Sequence, residues 1–262
     1  MSFDWRTATD AEVDLQYSPS KFGLQPLDAY LREYHELSAP WAGKDLVTPG
    51  APLLVYIHGG YWQRLSAADS LFNAPDAGRL GFSLHATEYT LAPHATVEQI
   101  VQECIDDVVG VLDRADAPRV VVAGCSAGAH LAAMVALSPR LEGRIGMVTL
   151  LSGIYDLRPV LRIEDNGALR LDETRAAALS PALLPHTTYA PRAVVAVGRH
   201  EPGEFIRQST EYAMQLRGLG VATVDAVVSD RDHFNLPYDL LRTGTFVGDH
   251  VVSYLTDGEP TT

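Results

Sequence analysis

Gly124-Cys125-Ser126-Ala127-Gly128 places a serine among small residues, where the apolar run Pro118 to Gly124 gives way to the helix-forming stretch SAGAHLAAMVAL. A serine hydroxyl becomes a useful nucleophile when it stands clear of the chain at a sharp turn and a base takes its proton. Small neighbours permit that turn, and a helix starting just after the serine aims backbone N–H groups at developing negative charge. Attack of Ser126 on a carbonyl carbon is the chemistry this spacing implies. Cys125 lies beside it, but at such a turn its side chain points elsewhere, so it reads as a small buried hydrophobe.

The serine needs an imidazole base, and the imidazole needs a carboxylate to set its tautomer. Of nine histidines, His233 in SDRDHFNLP follows the last strand-like run and precedes a C-terminal helical region, where a loop can carry it over Ser126; His130 and His250 lie within helical stretches and read as structural. The acid should follow the run RAVVAVG from Arg192. Glu201 in GRHEPGEF is the first carboxylate there, with Glu204, Asp156, Asp230 and Asp232 as alternatives. A third element, His58-Gly59-Gly60-Tyr61-Trp62, ends an earlier apolar run. Its glycines would let N–H groups near Gly60 and Tyr61 converge with that of Ala127 to hold an oxyanion. His58 and Gly59 are expected to support this loop, Tyr61 is a candidate for a pocket wall, and Trp62 and Phe234 are expected either to wall the pocket or to pack in support of the loop.

These groups must be positioned by a scaffold. PLLVYIHGG from Pro52, FSLHATEY from Phe82, PRVVVAG from Pro118, IGMVTLLSG from Ile145, RAVVAVG from Arg192 and VATVDAVV from Val221 read as strands. Between them, Val97, Ile100, Val101, Cys104, Ile105, Val108, Val109 and Leu112 fall on one side of a helix, as the apolar residues of a sheet-covering helix should. LDAYLREYHEL, EFIRQSTEYAMQLRGLG and DLLRTGTFVGDHVVSYL are expected as further helices, and YSPSKFG as a loop. Alternation of nearly all-apolar strands with helices implies an α/β fold with a mostly parallel central sheet flanked by helices. The whole chain, 1–262, is expected to form one domain. Within it, 156–189 breaks the rhythm and is expected as a small cap or long loop after the sixth strand.

Thirty-three acidic against 20 basic residues give a net charge of −13 over 262 residues, which disfavours nucleic acid and anionic membranes as partners. A small-molecule substrate is the expected partner, with a homodimer as a further possibility. Two cysteines make no disulfide framework, no dense His/Cys/carboxylate cluster suggests a metal, and no cofactor is expected. The polar start MSFDWRTATDAEVDLQ lacks a secretory pattern, so a cytoplasmic location is expected.

YSPS at Tyr17 to Ser20, HGGYW, YTLAP at Tyr89 to Pro93, GCSAGAHL, SGIYDLRP at Ser152 to Pro159, EFIRQS at Glu204 to Ser209 and His233-Phe234 together resemble kynurenine formamidase (arylformamidase) and related bacterial α/β-hydrolases. The resemblance implies the α/β-hydrolase fold, a nucleophile at Ser126, a base at His233, and hydrolysis of an aryl formamide such as N-formylkynurenine to the amine and formate. Two positions depart from the family pattern: Glu201 stands where an aspartate is usual, and Cys125 where a histidine is common. A small-molecule carboxylesterase with the same machinery and a noncatalytic hydrolase-like binding protein are the alternative readings.

Overall fold

The computed structural model describes residues 3–185 and 189–257. Six strands, β1 Leu53–Ile57, β2 Ser83–Thr87, β3 Val120–Cys125, β4 Met147–Leu151, β5 Arg192–His200 and β6 Ala222–Asp232, form one sheet in the order β2-β1-β3-β4-β5-β6. All five pairings are parallel. The expected "mostly parallel" sheet is thus parallel throughout its described strands. Each strand but the last is followed by a crossover, so helices cover both faces and the central strands are apolar on both sides.

The strand residues divide alternately between two cores. Leu53, Val55, Ile57, Val120, Val122, Val148 and Leu150 pack on one side, and Leu54, Tyr56, Val121, Ala123, Met147 and Leu151 on the other. On the first side lie α4 (Val97–Ala115), α5 (Ala127–Ala136) and α8 (Gly203–Gly218); on the second lie α3 (Ala74–Leu80) and α9 (Phe246–Asp257). The helix over Val97 to Leu112 forms as expected from its spacing. Thr96 caps it by accepting from the Gln99 N–H while the Gln99 side chain accepts from the Thr96 N–H.

Around these elements, α1 (Asp10–Gln16) and α2 (Leu27–Ser38) arise from the first forty residues, and YSPSKFG holds a short 3-10 turn, Pro19–Lys21. The expected C-terminal helix is shorter than the sequence suggests. Gly244 adopts φ +84°, and the Thr245 hydroxyl accepts from the Gly248 N–H, so the helix begins only at Phe246. The segment 156–189 follows β4, the fourth strand and not the sixth. It carries a 3-10 turn (Arg158–Arg162), the short helices α6 (Asn166–Leu169) and α7 (Glu173–Ala178), and another 3-10 turn, Pro181–Leu183. Residues 186–188 of that stretch lie outside the described residues.

Strand order reverses between β1 and β3, because β1 connects outward to β2 while β3 begins the progression to β6. Ile57 pairs with Gly124 at this switch point, so the loop after β1 and the turn after β3 leave the sheet side by side. At the other end of the sheet, His200 pairs with Asp232, and the next residues along each strand are Glu201 and His233. The topology therefore delivers four of the singled-out segments to one edge.

Candidate active site

Ser126 sits between β3 and α5 at φ +59° and ψ −123°, a conformation an L-residue adopts only when its surroundings impose it. Those surroundings are backbone. A Cβ on Gly124 would lie 2.1 Å from the Gly128 carbonyl oxygen, and one on Gly128 would lie 2.0 Å from the Ile57 carbonyl oxygen. Both glycines are thus required by close approach of the turn, the helix and β1. The Ser126 N–H still donates to Leu151 O at 2.8 Å, which ties the turn into the sheet. Ala127 is fully buried as the first residue of α5, where an N–H has no carbonyl within the helix to bond.

The loop after β1 turns through three non-glycine residues of positive φ, Tyr61 (53°), Trp62 (58°) and Leu65 (70°). The Gly60 carbonyl accepts from Gln63 N at 3.0 Å and Arg64 N at 2.9 Å, closing the turn. Gly60 itself has φ +94°, and a Cβ there would meet the Arg64 carbonyl oxygen at 2.3 Å. His58 is buried beneath this loop, stacked on Tyr89 with ring centroids 4.1 Å apart, and its Nδ1–H donates to the Gly59 carbonyl at 3.0 Å. The Tyr89 hydroxyl donates to the carbonyls of His58 and Gly59 at 3.0 and 3.2 Å. His58, beside Glu88 at 3.5 Å, helps hold that carboxyl below its ordinary range. Thus His58 and Gly59 hold the loop.

Trp62 is fully buried and does not line the cleft, so of its two expected places, a pocket wall or packing in support of the loop, it takes the second. The reason is a buried relay. An indole N–H can only donate, so Trp62 Nε1 gives its hydrogen to His130 Nδ1 at 3.3 Å, and His130 Nε2–H must donate to the Leu179 carbonyl at 2.7 Å. Burial pushes the His130 imidazole down to about 4, so it is neutral with one tautomer fixed. Through it, the loop after β1, the helix after Ser126 and the 156–189 segment share one connection.

His233 Nδ1 lies 2.7 Å from Glu201 Oε2. A carboxylate only accepts, so Nδ1 carries a hydrogen, which in the neutral tautomer of an imidazole leaves the lone pair on Nε2. Glu201 is 5% exposed, and its other oxygen, Oε1, accepts from the Ser152 hydroxyl at 2.6 Å and from the Gly198 N–H at 2.7 Å. Phe205 and Phe234 approach the imidazole edge-on, with centroids 4.9 and 5.2 Å away. The other carboxylates are engaged elsewhere. Asp156 makes paired contacts to Arg158 at 2.9 and 2.7 Å; Glu204 does the same with Arg207 at 2.8 and 2.7 Å; Asp230 meets Arg231 at 2.9 Å. Asp232, fully buried, accepts from Leu24 N (2.6 Å), the Tyr30 hydroxyl (2.6 Å), Phe234 N (2.9 Å) and Asn235 N (3.0 Å). Burial opposes its charge, yet these donors outweigh it and hold the carboxyl below its usual range.

Ser126 and His233 open together into a cleft of about 540 Å³. Gly59, Gly60, Tyr61, Cys125 and Phe234 also line it. Cys125 is buried, burial pushes its thiol up, and its Sγ–H contacts the His233 carbonyl at 3.5 Å. The sequence reading missed the contribution of the first forty residues. Tyr17, Pro19, Leu27, Leu31 and Tyr34 form much of the apolar wall, and the Tyr61 hydroxyl is bonded to the Tyr17 carbonyl. The YSPS signal was visible, but which face of α2 turns to the site depends on tertiary packing. Arg64, Asp69 and Asp165 supply the charged side chains of the lining and were likewise not singled out. Among the described residues, no group of three or more His, Cys, Asp or Glu side chains is placed to hold a metal ion, and no helix is long and apolar enough to cross a membrane.

A family profile described as the alpha/beta hydrolase fold matches residues 54–234. Kynurenine formamidase of Danio rerio is 30% identical, over 89% of this chain and 92% of its own length, and kynurenine formamidase of Salmo salar is 35% identical over 71% and 66%. Among solved structures, a candidate thioesterase of Silicibacter sp. TM1040 superposes with a TM-score of 0.78 at 24% identity, covering 90% of this chain and 97% of that one. A fold, a strained serine turn and sequence likeness along most of the chain converge: this chain belongs to the α/β-hydrolases, among kynurenine formamidase and its relatives.

Proposed function

We propose that this chain is a serine hydrolase that cleaves an aryl formamide, of which N-formylkynurenine is the leading candidate, to an arylamine and formate. The observation that carries the reading is the His233 Nδ1 to Glu201 Oε2 contact of 2.7 Å at the cleft that also holds Ser126 at its strained turn. Relatives named kynurenine formamidase support the substrate class.

In this reading, Ser126 Oγ attacks the formyl carbon and His233 Nε2 takes its proton. Glu201 keeps the hydrogen on Nδ1 and balances the imidazolium that forms. The oxyanion is met by the N–H of Ala127 and those of Gly60 and Tyr61, whose loop is fixed before substrate arrives. Collapse breaks the C–N bond, and His233 returns the proton to the leaving nitrogen. A water then attacks the formyl-serine, gives its proton to His233, and releases formate and the Ser126 hydroxyl. The chemistry uses side chains and backbone amides alone.

Ser126→Ala should abolish turnover of N-formylkynurenine, followed by release of kynurenine, with the fold intact by circular dichroism; retained wild-type turnover removes the assignment. A carboxylesterase is the second reading, favoured by the apolar lining of the cleft. A panel of N-formylkynurenine, neutral N-formyl arylamines and short p-nitrophenyl esters separates the two by kcat/KM, with the formamides expected to lead.

A further inference from the structure

The cleft is not uniformly apolar. Tyr17, Leu27, Leu31, Tyr34 and Phe234 make one side of it, whereas Arg64 and Asp165 meet across the other. Arg64 Nη2 stands 3.4 Å from Asp165 Oδ1, and Arg64 is the one arginine or lysine among the described residues lining the cleft.

These two residues come from different segments. Arg64 belongs to the loop after β1, where its own N–H closes the turn onto the Gly60 carbonyl at 2.9 Å. The guanidinium is therefore tethered to the same turn that carries Gly60 and Tyr61. Asp165 comes from the 156–189 segment, just before α6, and is steadied by the Gln63 amide, which donates to its Oδ1 at 3.1 Å and to its carbonyl at 3.2 Å. Burial pushes the Asp165 carboxyl up, against the pull of Arg64. The third charged residue, Asp69, is already engaged by the Ser66 hydroxyl at 2.7 Å and by His35 at 3.2 Å.

A single contact of 3.4 Å to a 65% exposed arginine contributes little to stability. Its guanidinium keeps further N–H groups in a planar fork suited to a carboxylate, and Asp165 suits an ammonium group. A ligand carrying both charges on one carbon would replace one weak ion pair by two charge-assisted ones. We propose that Arg64 and Asp165 form the subsite for an α-amino acid group on the substrate, Arg64 taking the carboxylate and Asp165 the ammonium. The assignment rests on the aryl formamide reading and sharpens it: the cleft selects a formamide whose arm ends in a zwitterion over a neutral one.

The test compares N-formylkynurenine with N-formyl-2-aminoacetophenone, which keeps the aryl formamide and ketone but lacks the amino acid group. Wild type, Arg64→Gln and Asp165→Asn are assayed on both. The ratio of kcat/KM between the two substrates should fall about 10- to 100-fold in each variant, through a raised KM for N-formylkynurenine with little change in kcat. Equal losses on both substrates would assign the pair a structural role and overturn the proposal, as would an unchanged ratio. Wild-type protein that cleaves neither formamide while hydrolysing p-nitrophenyl acetate would overturn the formamide reading and the subsite with it. Wild type active on both with unchanged variant ratios would overturn the subsite alone.

Discussion

Glu201→Gln replaces a carboxylate by an amide of the same shape, and the hydrogen bonds around it decide which way the amide must face. At Oε1 stand two donors, the Ser152 hydroxyl at 2.6 Å and the Gly198 N–H at 2.7 Å; at Oε2 stands His233 Nδ1 at 2.7 Å. The hydroxyl can rotate, but the backbone N–H of Gly198 cannot become an acceptor. The amide oxygen therefore takes the Oε1 place and the NH2 faces His233, which moves its hydrogen to Nε2 and loses the lone pair that would accept the serine proton. Forcing the amide the other way sets N–H against N–H in a buried site, a cost of about 1–3 kcal/mol. Losing the negative charge beside the imidazolium removes a charge-assisted bond of about 1.5–3 kcal/mol. Together these give about 10²- to 10⁴-fold in kcat, at 1.36 kcal/mol per decade. The assay is steady-state cleavage of N-formylkynurenine near neutral pH beside a thermal melt, with the melt expected within a few degrees of wild type. A variant that keeps kcat within threefold, folded and clean, would refute the role given to Glu201 and the amide-orientation argument with it.

Other expectations follow from the same hydrogen bonds. His130 has its folded pKa lowered from 6.5 to about 4, so the unfolded chain binds its proton first as pH falls. The stabilisation is fully present above about 6.5 and is lost progressively towards pH 4, by about 3 kcal/mol at 1.36 kcal/mol per pH unit. Urea unfolding across that range should show a shallower pH slope in His130→Gln, whose side chain does not titrate; identical slopes would count against a buried neutral His130. Asp232→Asn should lower stability by about 3 kcal/mol, because both oxygens of Asp232 face backbone N–H groups and an amide must turn its NH2 against one pair. Chemical denaturation measures this, and a loss below about 0.5 kcal/mol would show that the loop repacks without the carboxylate.

How legible this was in the sequence depends on the range of the interactions involved. The six strands and the helix over Val97 to Leu112 follow from apolar periodicity, and Ser126 from a glycine pattern whose cause is local backbone crowding. Glu201 could be ranked above its competitors by its place after a strand, but Asp156 and Glu204 leave the contest because arginines hold them, a fact carried by no motif. Whether Trp62 walls the pocket or packs beneath the loop is not decided by its motif, since its partner His130 lies 68 residues away. The cleft wall from Tyr17 and α2 was hidden for the same reason. The C-terminal helix was overextended because the weak breaking signal of Gly244 competes with an otherwise helical pattern.

The anchorage of Asp232 links the two ends of the chain. Its oxygens accept from Leu24 and Tyr30, 208 and 202 residues away in sequence, and the adjoining residue is His233. Among the described residues β6 is an edge strand beside β5, so the sheet itself braces the imidazole from one side. The N-terminal segment supplies the opposing brace. Among the described hydrogen bonds those from Leu24 and Tyr30 to Asp232 span the most sequence, so the position next to His233 is fixed by contacts between distant parts of the chain and not by the sheet alone. The seat of the imidazole is thus a property of the closed chain: the serine turn is held by β1 and α5, whereas the loop carrying His233 is held also by residues of the N-terminal segment.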